Sequence, residues 1–319
     1  MLASRAVSAR AFRIASSLGL ATTLLTFALI VIGSVVRTTG SGLACPDWPL
    51  CQGRLIPPFQ FNVMIEWSHR MVAMLVSLLV AAIAVTTLAR PALRRRLAGL
   101  ALLAVALLMM QVMLGALTVW KLLDPSVVSG HLAVAMLLFA TLLTYTLVAQ
   151  RESESEAPAP GRPGAVFAAF AAATTLAFLQ SLLGGMVSTH HASLVCPDWP
   201  TCLGRWFPPL EGLVGLHMTH RFGAYLLTAV VLIAATVARR APDAGIHAGG
   251  RMALMLVVAQ VTLGVCSVFL GAPPWLSAAH LATAVALFAV LIATTFRAAL
   301  LPARVADAVE SVSTPAAVR

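Results

Sequence analysis

The segment CPDWPLC at residues 45–51 recurs as CPDWPTC at residues 196–202, which lies 151 positions further along the chain. The same displacement repeats a His-Arg pair, and a displacement of 149 repeats a second histidine. These repeated residues are His69-Arg70 with His220-Arg221, and His131 with His280. Because an identical pentapeptide with matched spacings does not arise by chance, we interpret the chain as an internal duplication.

The composition indicates that lipid surrounds most of the chain. Of the 319 residues, 60% are hydrophobic and 10% are charged, whereas soluble proteins carry roughly 25% charged residues. Eight uncharged runs approach or exceed the roughly 20 helical residues that cross a bilayer. They are residues 14–36, 71–89, 97–120, 125–150, a window in 164–189, 222–238, 252–271 and 275–296. The run 222–238 is short, but apolar residues before Arg221 can extend it.

We therefore predict an all-α integral membrane protein with eight transmembrane helices, four from each repeat. An even number of helices in a repeat gives both repeats the same orientation, so we expect two tandem four-helix bundles related by pseudo-twofold symmetry. The predicted boundaries are residues 1–150 for the N-terminal bundle and 164–300 for the C-terminal bundle. A cytoplasmic linker at 151–163 and a disordered tail at 301–319 complete the expected organisation.

The basic residues predict the orientation. The formal net charge of +10 is spread singly between apolar runs, which indicates topology signals and no nucleic-acid partner. Fifteen of the 21 Lys and Arg residues fall on the side of the two termini, which predicts cytoplasmic termini in a bacterial inner membrane. The first run is too long for a signal-peptide core of about 7–15 residues, so we expect it to be retained. Its acid-free start also resembles a mitochondrial transit segment, and a mitochondrial inner membrane is the alternative.

The repeated histidines predict two haem sites. His69, His131, His220 and His280 lie on the second and fourth helix of each repeat, near the outer face. A haem with two axial ligands needs one imidazole from each of two facing helices at one depth, and this pattern supplies that twice. A single membrane histidine more often bonds to a neighbouring helix, and zinc would need further ligands.

Basic and amide residues accompany these histidines at repeated positions in the sequence. Arg70 and Arg221 follow a predicted ligand directly, so each is a candidate contact for a haem propionate, with snorkelling to the lipid headgroups as the alternative. Gln111 and Gln260 each precede a glycine by four residues. For these two we favour hydrogen bonding between helices over a haem contact.

The repeats differ at one ionisable position. Glu66 lies three residues before His69 and shares its helix face, whereas the equivalent residue of the second repeat is His217. Glu66 is therefore a candidate for proton transfer or for stabilising positive charge on a substrate, unless it is only exposed at the interface. His217 is a candidate second ligand or support, and no role is assigned to His190 or His191.

The cysteines form two matched pairs in the predicted outer loops. Disulfides Cys45–Cys51 and Cys196–Cys202 are geometrically plausible, although sequence does not fix the connectivity. A structural cross-link is the favoured role, and a redox role near a haem is the alternative.

Taken together, these motifs resemble the haem A synthase family, in its cysteine-containing branch. The resemblance covers residues 14–297 and rests on Glu66-Trp-Ser-His69-Arg70, the paired cysteine loops, and the repeated histidines. It implies oxidation of the C8 methyl of haem O to a formyl group by two successive hydroxylations, for a terminal oxidase cofactor.

The resemblance also implies roles for the two repeats. His69 and His131 would bind the substrate haem O, with Glu66 as the catalytic carboxylate, and His220 and His280 would ligate a permanent haem b. Electrons would pass to quinone or another acceptor, and a haem O synthase would deliver the substrate. The competing functions are a di-haem b electron carrier that leaves its haems unmodified, and a haem-free thiol–disulfide oxidoreductase.

Overall fold

The computed structural model describes residues 2–154 and 164–301, with the backbone alone for residues 2–6. Within these residues it contains eight long α-helices and a short 3-10 turn, Ala192–Leu194. The helices are α1 (Leu2–Thr38), α2 (Phe61–Ala89), α3 (Pro91–Trp120), α4 (Pro125–Ser153), α5 (Ala165–Thr189), α6 (Gly212–Ala238), α7 (Ala244–Phe269) and α8 (Pro274–Ala298). All eight are long and apolar enough to cross a membrane, which confirms the predicted multi-pass helical architecture.

Several helices begin earlier than the uncharged runs that predicted them, and α2 and α6 are the two that carry a His-Arg pair. Helices α2 and α6 start at Phe61 and Gly212, ten residues before the runs at 71–89 and 222–238. The histidine of each His-Arg pair therefore lies about two turns inside its helix, and not just before the apolar segment. Charged residues can continue a membrane helix here because their polar atoms find partners inside the protein.

Local sequence signals fix several helix starts. Pro125 occupies the first turn of α4, and the carboxylate of Asp124 accepts hydrogen bonds from the backbone N–H groups of Ser126 and Val127. Asp243 caps α7 in the same way through the N–H of Ile246. Both caps satisfy donors that a helix leaves without partners in its first turn.

The helices of each half form a ring of four. In the N-terminal half, α1 packs against α2 and α4, and α3 packs against the same two helices. In the C-terminal half, α5 packs against α6 and α8, and α7 does likewise. Helices α2 and α4 therefore lie across one ring from each other, and α6 and α8 lie across the other. The pseudo-twofold relation between the rings stays a prediction.

The two halves pack together through α1 and α4 on one side and α5 and α8 on the other. Ile30, Met136 and Phe139 of the N-terminal half are buried in the same apolar cluster as the core of the C-terminal half. The predicted linker lies mostly outside the described residues, as does the predicted tail after Leu301.

A polar contact joins α2 and α4 far from their N-terminal ends. There the Thr87 hydroxyl and the Tyr145 hydroxyl are hydrogen-bonded at 2.8 Å, and both side chains are buried. Because His69 and His131 lie near the opposite ends of these helices, the contact closes the ring at the end away from the histidines.

Candidate haem sites

The four predicted ligand histidines lie at matched positions in their helices. His69 and His220 each follow the first residue of their helix by eight positions, and His131 and His280 by six. All four side chains are half-buried. In each half the two histidines belong to helices on opposite sides of the ring, which is the arrangement that ligation of one haem by two imidazoles requires.

Each of these imidazoles lies against a glycine of the preceding helix. A Cβ added to the glycine would lie 3.0–3.3 Å from the nearest ring atom, closer than ordinary packing allows. The four glycine–histidine pairs are Gly33–His69, Gly115–His131, Gly184–His220 and Gly264–His280. The glycines therefore let the rings sit close to the neighbouring helix backbone.

Glutamine amides contact three of the four rings. The Nε2 atoms of Gln111 and Gln260 lie 3.2 and 3.1 Å from the Nε2 atoms of His131 and His280, so the predicted bonding between helices is confirmed. Gln180 contacts Nδ1 of His220 at 2.9 Å and also donates to the His220 backbone carbonyl at 2.7 Å. Sequence reasoning missed Gln180, although it precedes Gly184 by the same four residues that separate Gln111 and Gln260 from their glycines.

Buried polar atoms without partners surround these imidazoles, which fits a polar or metal-containing ligand between the helices. Within the described residues, the Nδ1 atoms of His131 and His280 are buried without a hydrogen bond, and so are the Oε1 atoms of Gln111, Gln180 and Gln260. Buried polar groups are nearly always satisfied in proteins, so such a cluster calls for an explanation. The paired imidazoles, the close glycines and the amide oxygens without a hydrogen bond together fit a haem within each ring of four helices.

Glu66 is buried and held by two donors. Only 4% of the residue is exposed, so the alternative of a carboxylate merely exposed at the interface is wrong. Its Oε1 accepts from Arg70 at 2.6 Å, and its Oε2 accepts from the backbone N–H of Cys45 at 2.8 Å. These donors stabilise the charged carboxylate within the protein.

Arg70 joins the N-terminal cysteine loop to α2. Besides Glu66, its guanidinium donates to the backbone carbonyls of three loop residues. Arg221 makes the same three kinds of contact in the C-terminal half and is buried. The accepting residues are Cys45, Asp47 and Leu50 for Arg70, and Cys196, Asp198 and Thr201 for Arg221.

These arginine contacts bear on the predicted propionate contacts. Both terminal nitrogens of Arg70 and of Arg221 already donate to loop carbonyls, so the hydrogen-bond partners that the structure shows for them are protein atoms. Contact of either arginine with a haem propionate stays a prediction. Arg37, which sequence reasoning did not single out, donates to the carbonyl of Ser188 at 3.2 Å and makes no ion pair among the described residues.

His217 takes the place of Glu66 in the C-terminal half. Its ring is buried, and its Nδ1 lies 2.8 Å from the backbone carbonyl of Ala192. The second repeat therefore has an imidazole bonded to the loop at the position where the first repeat has a carboxylate. His190 lies at the end of α5, where its ring contacts the carbonyl of Met186.

Both predicted cysteine pairs form disulfides, Cys45–Cys51 and Cys196–Cys202, and the four residues are buried. An aspartate organises each loop by accepting two backbone N–H groups, from Gln52 and Gly53 in the first loop. Asp198 does the same in the second loop and also accepts from the Thr201 hydroxyl.

Because these donors favour the charged form, the pKa of Asp198 is lowered to about 2, first by the hydroxyl of Thr201 and next by the N–H of Gly204. The pKa of Asp47 is also lowered, chiefly by the N–H of Gly53. Both loop carboxylates are therefore ionised throughout the neutral range.

Comparison with known proteins identifies the relatives of the chain. A model of the family described as "Cytochrome oxidase assembly protein" (COX15-CtaA) matches residues 16–292. A protein named "Heme A synthase" from Symbiobacterium thermophilum is 32% identical over 260 residues, covering 78% of this chain and 83% of the relative. Proteins of the same name from Bacillus licheniformis and Geobacillus kaustophilus are each 30% identical and cover 79% and 85% of this chain, and 85% and 87% of the relatives.

Proposed function

Because this chain belongs to the cytochrome oxidase assembly protein family, we propose that it is a haem A synthase, an oxidoreductase that converts haem O into haem A. The observation that carries the proposal is the buried carboxylate of Glu66, which accompanies only one of the two histidine pairs in the part of the chain that the structure describes. Glu66 lies one helical turn from His69, whereas the matching position of the other repeat holds His217. At this position, one half therefore has an ionisable acid for chemistry and the other has an imidazole.

We assign the substrate haem O to the N-terminal ring, between His69 and His131. The resident haem b is assigned to the C-terminal ring, between His220 and His280, where it would supply one-electron redox chemistry. This assignment is supported by the placement of both histidine pairs on helices across a ring. The cysteine-bearing branch of the family is proposed because each repeat holds a loop disulfide.

Glu66 would act on the methyl group that is oxidised. Breaking each C–H bond releases a proton, and a carboxylate next to the reacting edge can accept it or stabilise developing positive charge. Arg70 and the N–H of Cys45 keep this carboxylate oriented in a medium that otherwise disfavours charge. The glycines beside the imidazoles fix how closely the ligand rings approach the helices.

The chain is a multi-pass membrane protein, and we propose the bacterial cytoplasmic membrane as its location, with both termini cytoplasmic. The excess of Lys and Arg on the side of the termini supports this orientation. Quinone is the proposed class of electron acceptor, since it is soluble in the same bilayer. A haem O synthase is the proposed source of substrate.

Co-expression with a source of haem O, followed by pigment extraction and pyridine haemochrome spectra, tests the function. We expect haem A in the extract from the wild-type chain and none from a host that lacks it. Purified His220→Ala should lose haem b, whereas His69→Ala should retain it and fail to convert haem O. Two equivalent haems b that stay unmodified when haem O is supplied would instead identify an electron carrier.

A further inference from the structure

The four histidines do not share the same hydrogen-bond partners. Gln111 and Gln260 contact equivalent rings, one in each half, and so do not distinguish the halves. Gln180 contacts the ring of His220, but the position 151 residues earlier is Leu29, and the ring of His69 has no hydrogen bond among the described residues. His69 is therefore the ligand histidine that lacks an amide partner.

A second substitution accompanies this difference. Gly223 packs directly on the Oε1 of Gln180, and a Cβ at this position would overlap that oxygen. The equivalent residue of the N-terminal half is Val72, again 151 residues earlier. The C-terminal half thus has glutamine and glycine where the N-terminal half has leucine and valine. The missing side chain of the glycine leaves space for the amide in the half that contains the amide.

The amide of Gln180 is placed to restrain its histidine. Its nitrogen donates to the backbone carbonyl of His220 and lies 2.9 Å from Nδ1, which ties the ring to its own backbone. Groups of this kind orient a ligating imidazole, and their loss typically weakens metal binding by roughly 10–100-fold. Its Oε1 is buried and has no partner among the described residues, so a turn of the amide would offer this oxygen to Nδ1–H and leave Nε2 unprotonated for a metal.

We propose that this exchange of residues decides which haem stays and which one leaves. Gln180 with Gly223 holds His220 in one orientation before haem binds. Coordination then costs less conformational entropy, so the C-terminal haem is retained. Leu29 with Val72 leaves His69 free to turn, so the N-terminal site accepts and releases its haem. The proposal rests on the proposed function and adds to it the residues that separate a cofactor site from a substrate site.

Reciprocal exchange of the two residue pairs tests this proposal. One variant carries Gln180→Leu with Gly223→Val, and the other carries Leu29→Gln with Val72→Gly. Each purified protein is loaded with haem, and the transfer of haem to excess apomyoglobin is followed by absorbance. This release rate is measured without turnover, so it does not depend on whether haem A is made.

We expect the first variant to release its resident haem about tenfold faster than the wild-type chain, and the second to release haem O about tenfold more slowly. The second variant also provides the test if the first does not fold, since it changes the other half. Unchanged release from both sites in the folded variants would overturn the proposal. A wild-type chain that releases haem from two distinct sites but makes no haem A would refute the proposed function alone.

Discussion

The two halves of this protein share their binding framework and differ in the residues next to one histidine. The ligand histidines, their glycines, the loop arginines and the disulfides all occur twice. By contrast, the positions occupied by Glu66, Leu29 and Val72 in the first half hold His217, Gln180 and Gly223 in the second. The repeats thus share the residues proposed to hold a haem, and they differ in the residues to which we assign chemistry in one half and retention in the other.

The arginines show how these functions can be separated. Arg221 binds three loop carbonyls and forms no ion pair among the described residues, so these contacts do not need a carboxylate paired with the arginine. Arg70 makes the same contacts and also pairs with Glu66. The arginine–loop contact therefore does not depend on Glu66, and in the first half the same arginine supplies the positive charge that a buried carboxylate requires.

Replacing the acid should have the largest effect on the comparison. Glu66→Gln keeps the size of the side chain but removes its charge, so we expect haem A formation to fall by about 100-fold or more with haem b content unchanged. His217→Gln is the matched control, and it should leave turnover within a few-fold of the wild-type rate. Pigment analysis after co-expression with a haem O source measures both. Normal turnover in Glu66→Gln would remove the acid from the mechanism.

Replacing the arginines should separate loop anchoring from catalysis. Arg70→Lys and Arg221→Lys both lose the planar set of donors to the loop carbonyls, and each should destabilise the protein by about 1–3 kcal/mol. Only Arg70→Lys should also reduce turnover, by about tenfold, because it shifts Glu66. Thermal unfolding in detergent gives the first quantity, and haem A yield per retained haem b gives the second. Equal losses of activity in both variants would argue that Arg70 acts only through loop stability.

Removing the disulfides should also separate loop stability from turnover, with smaller losses of activity than the arginine variants. The double variants Cys45→Ser/Cys51→Ser and Cys196→Ser/Cys202→Ser should each lose about 2 kcal/mol of stability, since each bond closes a short loop. The N-terminal variant should in addition lose turnover several-fold, because the N–H of Cys45 binds Glu66. The comparison is made at a temperature where both variants remain folded. If the C-terminal variant alone loses activity, then the loop of the first half does not position the acid.

Replacing the loop aspartates should give the smallest effect, and the pH dependence of that effect should appear only in acid. Because the pKa of Asp198 is lowered to about 2 from a usual 3.8, its contribution to stability is complete above about 4 and is lost as the pH falls towards 2. Asp47 shifts in the same direction. Unfolding temperatures of Asp198→Asn and Asp47→Asn should therefore stay at a constant distance from the wild-type value between pH 5 and 8. A change of that difference near neutral pH would show that these loops do not hold ionised aspartates.

The sequence predicted the helices well because lipid imposes a simple rule on them. Long uncharged runs gave all eight spans, and the duplicated motifs located the four histidines on alternate helices. The extension of α6 before Arg221 was expected, but the early start of α2 was missed because Glu66, His69 and Arg70 interrupt the apolar pattern. The partners of Glu66 and Arg70 in the folded chain explain why the helix continues through them.

The contacts of the site were harder to predict because they join distant residues. Arg70 binds carbonyls that lie 20–25 positions earlier, which no local pattern reveals. Gln180 has no counterpart in the other repeat, so a search for repeated residues overlooked it. An alignment of the two halves by their glycines would have shown Leu29 in its place.

The charged contacts of the two loops also bear on which sulfurs can join. Four cysteines permit three pairings, and two copies of one motif invite exchange between them. Asp47 and Arg70 fold the first loop with groups of its own repeat, and Asp198 and Arg221 fold the second. These contacts hold each cysteine beside its neighbour six residues away, so they favour pairing within a loop over the pairings that would cross-link the repeats.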